Sequence, residues 1–347
     1  ARRGGRKRTK VAAVPDIVCP GRASASCGSA GRSVSSSASA TPATPKGAVP
    51  EGVRAGLRQL EKIPATKSAL IVCEGPGQSW RDERDPQVPL FIGSAVKTFI
   101  LAQALRASEA GLLSETDQWA VDDKVRSASS PVLLNLTGTT QARSILEAMI
   151  AHSDNTATDI ALAKVGPDKV RALIAEAGLK NTRIPDSTRR LFSYIAGAPL
   201  GTDIGWEGVK KLETGWMPGP PRPPVNDQET MVSSADELVK WYQAALTGAF
   251  FSKPATLTEF MRIQAMADAI AQVVPPGIAA YAKGGSIDWG DFHCFCLPGQ
   301  MVVNAARVTF CFTVNWTGPD DSVAAVFPPF RDAVAATLKG AADALRA

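Results

Sequence analysis

The chain has 347 residues, 45% of them hydrophobic and 20% charged, with a formal net charge of +5 at pH 7. That length and apolar content suit one large domain or two modest ones, and no apolar run reaches the roughly 18 residues a membrane-spanning helix needs. The opening ARRGGRKRTK holds six Arg or Lys, so residues 11–347 sum to −1 and a basic nucleic-acid-binding surface is not expected.

The basic cluster runs into VAAVPDIVCPGRASASCGSAG and then the Ser/Ala/Thr/Pro-rich RSVSSSASATPATPKGAVP. A positive start, a loosely apolar middle and small residues before Cys27 resemble the leader of an exported bacterial lipoprotein. On that reading the protein is extracytoplasmic, secreted or membrane-anchored, and its membrane contact is a lipid on Cys27. A basic tail is the competing reading. Both set residues 1–50 apart from the fold.

EGVRAGLRQLEKI (51–63) has apolar residues at helical spacing, and SALIVCEG (68–75) reads as a buried strand. Residues 94–110, SAVKTFILAQALRASEA, put Val96, Phe99, Ile100, Gln103 and Ala104 on one helical face and end at Gly111 as the C-cap. So apolar a helix belongs inside a helical layer. TTQARSILEAMI (139–150), HSDNTATDIALAKVG (152–166) and PDKVRALIAEAG (167–178) follow as helices, the last with Pro in its first turn and Gly at its end. From about 181 to 230 periodicity fades, and GWMPGPPRPPVND predicts a long loop of the kind that is often functional. Helices return over 234–246, with Ser233 or Ser234 as N-cap, and over 255–272. Strands are expected near 278–287, 291–297 and 306–316, before a closing helix in PPFRDAVAATLKGAADALRA. This order predicts an α+β fold, a three-layer α/β/α domain over 51–347. Its antiparallel sheet comes from 51–93 and 275–347, and its terminal helices and sheet pack against an all-helical subdomain at about 94–250.

Of the six cysteines, Cys294-x-Cys296 has only His293 beside it, which is too few donors for a zinc site, so no metal is expected. Cys73, Cys294, Cys296 and Cys311 lie in strand-like runs. A cross-strand disulfide and buried free thiols are the two alternatives.

Three short motifs carry chemistry. Ser94-x-x-Lys97 places a hydroxyl and an amine one helical turn apart, within hydrogen-bonding reach, where a neutral lysine can take the serine proton. Ser153-Asp154-Asn155 opens a later helix with residues that also cap helices. Lys283-Gly284-Gly285-Ser286 lies on a strand, where bare backbone lets an extended ligand pair along the edge while a cation attracts a carboxylate. Taken singly, each is more often a cap or a turn.

In this order and setting the three motifs resemble the signature of the serine β-lactamases and penicillin-binding proteins. LEAMIAHSDNTATDIALAKVG and TMVSSADELVKWYQAALTG look similar to the corresponding helices of class A β-lactamases, and the likeness extends over 51–347. It implies a β-lactamase-like fold without cofactor. Ser94 would be the nucleophile, Lys97 its base or polarising partner and Ser153 a proton shuttle. Asn155, Lys283, Gly284, Gly285 and Ser286 would bind substrate, and the backbone N–H groups of Ser94 and Ser286 would form the oxyanion hole. Substrates would be small: a β-lactam, peptide or ester.

Two departures stand out. The Glu-x-x-Leu-Asn of class A enzymes, whose Glu drives deacylation, is absent; in NTRIPDSTRRLFSYIAG the Glu position falls near Thr188. Asp186 is the nearest substitute, and as a residue after Pro185 it also suits a turn; Glu207 and Glu213 lie further on. Gly284 stands where a hydroxyl residue is usual. His152 and His293 read as structural, and there is no Gly-x-Ser-x-Gly elbow. The resemblance therefore implies a serine hydrolase acting through acyl-Ser94, with a penicillin-recognising or peptidoglycan-binding protein of weak catalysis as the alternative.

Overall fold

The computed structural model describes residues 47–347; the basic cluster, Cys19 and Cys27 lie outside them. In chain order the elements are α1 (Glu51–Glu61), β1 (Thr66–Gly75), β2 (Gln78–Arg84) and β3 (Leu90–Phe91), a 3-10 turn at Gly93–Val96, then α2 (Lys97–Glu109), β4 (Gln118–Val121) and β5 (Gly138–Gln141). A helical run follows: α3 (Ala142–Ala151), α4 (Asn155–Val165), α5 (Pro167–Glu176), α6 (Thr188–Ile195) and α7 (Gly205–Glu213). After β6 (Val232–Ser233) come α8 (Ala235–Ala245), α9 (Pro254–Gln264) and α10 (Ile270–Val273), then β7 (Ala279–Ala282), β8 (Gly285–Trp289), β9 (Phe292–Val303), β10 (Ala306–Thr317) and α11 (Ser322–Arg346).

The main sheet is antiparallel, in the order β2-β1-β10-β9, with β7 and β8 both pairing with β9 at the far edge. Two-residue turns set its register. Pro76-Gly77 closes β1 on β2, pairing Gly75 with Gln78, and Asn304-Ala305, both at positive φ, close β9 on β10, pairing Val303 with Ala306. Side-chain alternation then sorts two cores. Ala69, Ile71 and Cys73 of β1 and Val308, Phe310, Phe312 and Val314 of β10 face α1 and α11. Leu70, Cys294, Cys296 and Cys311 face the helical block.

The expected class and layering stand, and several elements differ from expectation. β2 is additional, and α6 and α7 occupy the segment predicted as loop; they are short helices between Gly and Pro, too brief to show a period. The closing helix begins at Ser322 and takes Pro328 and Pro329 inside it. Ser234, not Ser233, caps α8, its side chain accepting from the Glu237 amide. The cross-strand disulfide is not formed. Register sets Cys294 opposite Asn315, Cys296 opposite Thr313 and Cys311 opposite Pro298, and all four described cysteines are free and buried.

Candidate active site

Ser94 sits where a strand is pinned on two sides before turning into the buried helix. β3 pairs with β6, the Ile92 amide donates to Met231 O at 2.8 Å, and the Asn315 side chain clamps Phe91, accepting from its N–H at 2.8 Å and donating to its carbonyl at 2.9 Å. Gly93, at φ +52°, then starts the 3-10 turn that carries Ser94, and α2 begins at Lys97. The backbone of Gly93 lies so close to β8 that a Cβ there would stand 2.9 Å from Ser286 N.

Lys97 is fully buried, and its amine does not bond to Ser94 as its spacing predicted. It donates to Ser153 O at 2.6 Å, Asn155 Oδ1 at 2.8 Å and Ser153 Oγ at 3.2 Å. Ser94 is half-buried, with its hydroxyl free of hydrogen bonds among the described residues. The lysine thus joins the first motif to the second, leaving the half-buried serine hydroxyl free.

The second motif begins outside the helix. His152 is the exposed C-cap of α3, and Ser153 adopts φ +58°. That conformation costs a serine about 1 kcal/mol and brings its carbonyl onto Lys97. Asp154 caps α4, accepting from Ala157 N at 2.8 Å with one oxygen and from the Val132 and Leu133 amides at 3.0 and 2.9 Å with the other. Asn155 donates to Ala128 O at 2.9 Å. The 128–133 loop is therefore laced to the motif that holds Lys97.

Lys283 and Gly284 occupy the break between β7 and β8, so the third motif bridges two strands. Lys283 is buried, with its amine on Gly284 O at 2.7 Å. Gly285 packs directly on the nucleophile's turn: any Cβ there would run into Ile92 O and lie 2.8 Å from Ser94 N. This approach brings the amides of Ser94 and Ser286 to one wall, with the outer edge of β8 unpaired among the described residues. All eight residues singled out from the sequence converge except in one detail, the missing Ser94–Lys97 bond.

Burial, reinforced by the Lys283 charge and opposed by Asp154 and Asp159, pushes the Lys97 amine well below the ordinary lysine value. Burial lowers Lys283 to about 8, against the pull of Asp268 and Cys296. Among the described residues neither lysine has a carboxylate within 4.0 Å. Two buried amines without a counter-ion form a site that can supply a neutral base and attract an anion.

The substitutes weighed for the absent glutamate are held elsewhere. Asp186 is bound by Arg171 at 2.5 Å and Arg190 at 3.0 Å, and its amide donates to Glu229 Oε2 at 3.1 Å across the neck of the 186–229 segment. Glu207 pairs with Lys210 at 2.5 Å, and Glu213 is exposed. His293 is buried, its ring bonded to Asp288 and Gly318 O, both at 2.9 Å, and stacked on Trp316. The sequence reading missed Asp159, buried on α4, which accepts from the amides of Thr188 at 2.6 Å and Arg189 at 3.1 Å. Its signal was an acid set in the apolar run NTATDIALA. A groove of about 570 Å³ lined by Pro64, Leu90, Val225, Phe292 and Trp316 lies where β9 begins and β10 ends, and includes none of the motif residues.

A serine beside two buried lysines, a strained Ser-Asp-Asn turn and a glycine-thinned strand edge, all between an antiparallel sheet and a helical block, define the serine β-lactamase and penicillin-binding superfamily. The model of the β-lactamase enzyme family matches residues 76–303, and the chain belongs to that family, whose members are broadly of serine hydrolase type. Solved structures agree on the fold. A β-lactamase from Sphaerobacter thermophilus is 21% identical, with a TM-score of 0.65 over 85% of this chain and 97% of its own. A β-lactamase from Chitinophaga pinensis is 15% identical, with a TM-score of 0.64 over 85% and 99%. A mutant of PBP-A, an acyl-enzyme complex with penicillin G, is 15% identical, with a TM-score of 0.63 over 87% and 100%. No curated protein matches by sequence.

Proposed function

We propose that the protein is a serine hydrolase that forms an acyl-enzyme at Ser94 on a small lactam, amide or ester. The observation that carries this reading is the Lys97 amine, buried, depressed and 3.2 Å from Ser153 Oγ, behind a serine whose own hydroxyl is free. The substrate carbonyl would lie against the amides of Ser94 and Ser286, and Ser94 Oγ would attack as its proton passes to Lys97. Collapse of the tetrahedral carbon expels an amine or alcohol. Ser153 protonates that leaving group and is reprotonated by Lys97, which ends neutral as it began. Asn155 and Lys283 would orient the substrate, the latter by attracting a carboxylate.

Because Lys283 loses its charge as pH rises through about 8, the preference for a carboxylate-bearing substrate over its methyl ester should decline across pH 7–9. A KM ratio for the two substrates that stays flat over that range would remove Lys283 from anion recognition.

Thr188 in the place of the glutamate favours a second reading, a penicillin-recognising protein that acylates and barely turns over. Intact-protein mass spectrometry after exposure to a penicillin, a chromogenic cephalosporin and a fluorophosphonate separates the two, with Ser94→Ala alongside. The hydrolase gives a transient adduct with turnover, lost in Ser94→Ala. A permanent adduct selects the binding protein, and no adduct with any probe eliminates both.

A further inference from the structure

β3 is two residues long, and its second residue, the buried Phe91, lies three positions before Ser94. β6 leaves the Phe91 main chain unpaired. Val232, opposite Phe91, gives its amide and carbonyl to Arg183 at 3.3 and 2.8 Å, so the N–H and C=O of Phe91 face the other way, toward the main sheet. β10 has no main chain to offer them there, because Asn315 is paired opposite Thr66 of β1 on one side and Cys294 of β9 on the other. Two buried backbone groups without partners would each cost about as much as a lost hydrogen bond.

A side-chain amide takes the place of the missing strand. Asn315 Oδ1 accepts from Phe91 N at 2.8 Å, and Nδ2 donates to Phe91 O and Val314 O, both at 2.9 Å. Cys294 Sγ donates to the same Phe91 carbonyl at 2.9 Å. Reversing the amide would set N–H against N–H and oxygen against two carbonyls, so these partners fix a single orientation. From Phe91 the chain reaches Ser94 through Ile92, whose amide is bound to Met231 O, and Gly93, whose backbone packs against Ser286.

We propose that Asn315 is a positioning residue for acylation: its side-chain amide holds Phe91, and through Phe91 it sets Ser94 against the Ser286 amide. The inference rests on the acyl-enzyme reading above. Among the described residues the Asn315 side chain bonds to Phe91 and Val314 and to neither Asn155 nor Lys283. Loss of the clamp should therefore slow the chemical step and leave substrate affinity in place, and a displacement of about 1 Å at a reacting group can cost about a hundredfold in rate.

Two variants test this. Asn315→Leu keeps the side-chain shape without donor or acceptor, so stopped-flow acylation by a chromogenic cephalosporin should slow about a hundredfold, with the substrate dissociation constant within about threefold of wild type. Asn315→Asp carries its own rescue. Protonated, its carboxyl offers Phe91 one donor and one acceptor, as the amide does; ionised, it has acceptors only and confronts the carbonyls of Phe91 and Val314. Burial beside those carbonyls raises its titration, so the variant-to-wild-type ratio of acylation rates should recover to near one at about pH 5 and drop toward about a hundredth in alkali. The ratio cancels the Lys97 titration common to both proteins, and thermal melts at each pH keep unfolding out of the comparison.

Asn315→Leu acylating within about threefold of wild type, or losing affinity in place of rate, would overturn the assignment. So would an Asn315→Asp ratio that stays low at acid pH, which decides the matter alone if Asn315→Leu does not fold. A wild type that gives no adduct with any probe removes the acyl-Ser94 reading itself, an outcome distinct from a wild type and an Asn315→Leu that acylate alike.

Discussion

Lys97→Met is expected to slow acylation of Ser94 at pH 7 by about two to four orders of magnitude, the span usual for loss of a positioned base. Methionine matches the lysine stem up to Cε and is content in a buried site, so the change removes the base with little loss of packing. An ordinary lysine is almost wholly protonated at neutral pH, but burial and the neighbouring Lys283 charge favour the neutral amine here. In the wild type the acylation rate should climb with pH through the lowered Lys97 titration, and in the variant it should be flat. Stopped-flow bursts from pH 5 to 10 measure both; a variant within tenfold of wild type at pH 7 would show that Ser94 is activated by another group.

Gly285→Ala is the second large effect. The added methyl would meet Ile92 O, Ala95 N at 2.7 Å and Ser94 N at 2.8 Å, all of them backbone atoms that no side-chain rotation can move. β8 must therefore back away from the nucleophile's turn, which separates the two amides proposed to bind the oxyanion. A lost oxyanion donor costs about 100- to 1,000-fold in rate, and overpacking costs about 1–3 kcal/mol of stability. Burst kinetics together with a thermal melt test this, and a fully active, fully stable Gly285→Ala would mean that the close approach is not maintained in solution.

Local chemistry made much of the fold readable. Pro167 and Gly178 bracket α5, Asp154 and Ser234 accept the first amides of α4 and α8, and the apolar face of α2 marks it as a central helix. These are interactions within a turn or two, so neighbouring residues specify them. The 186–229 segment was harder because α6 and α7 are eight and nine residues long, and their stability comes from contacts made elsewhere, such as the Arg189–Asp203 pair. The cysteines show the same divide. Their strand placement could be read, but whether any two face each other depends on a register set by the Asn304-Ala305 turn.

The residue types and order of the three motifs, the helices around them and the missing glutamate are properties of the sequence alone, because each depends on a few adjacent positions. Where the Lys97 amine points, what stands behind Thr188 and how closely Gly285 meets Ser94 were decided only by the tertiary structure. Those contacts join residues 58, 29 and 191 positions apart. Packing of α2 against α4, of α6 against α4 and of β8 against the 3-10 turn brings them together, and no local propensity encodes it.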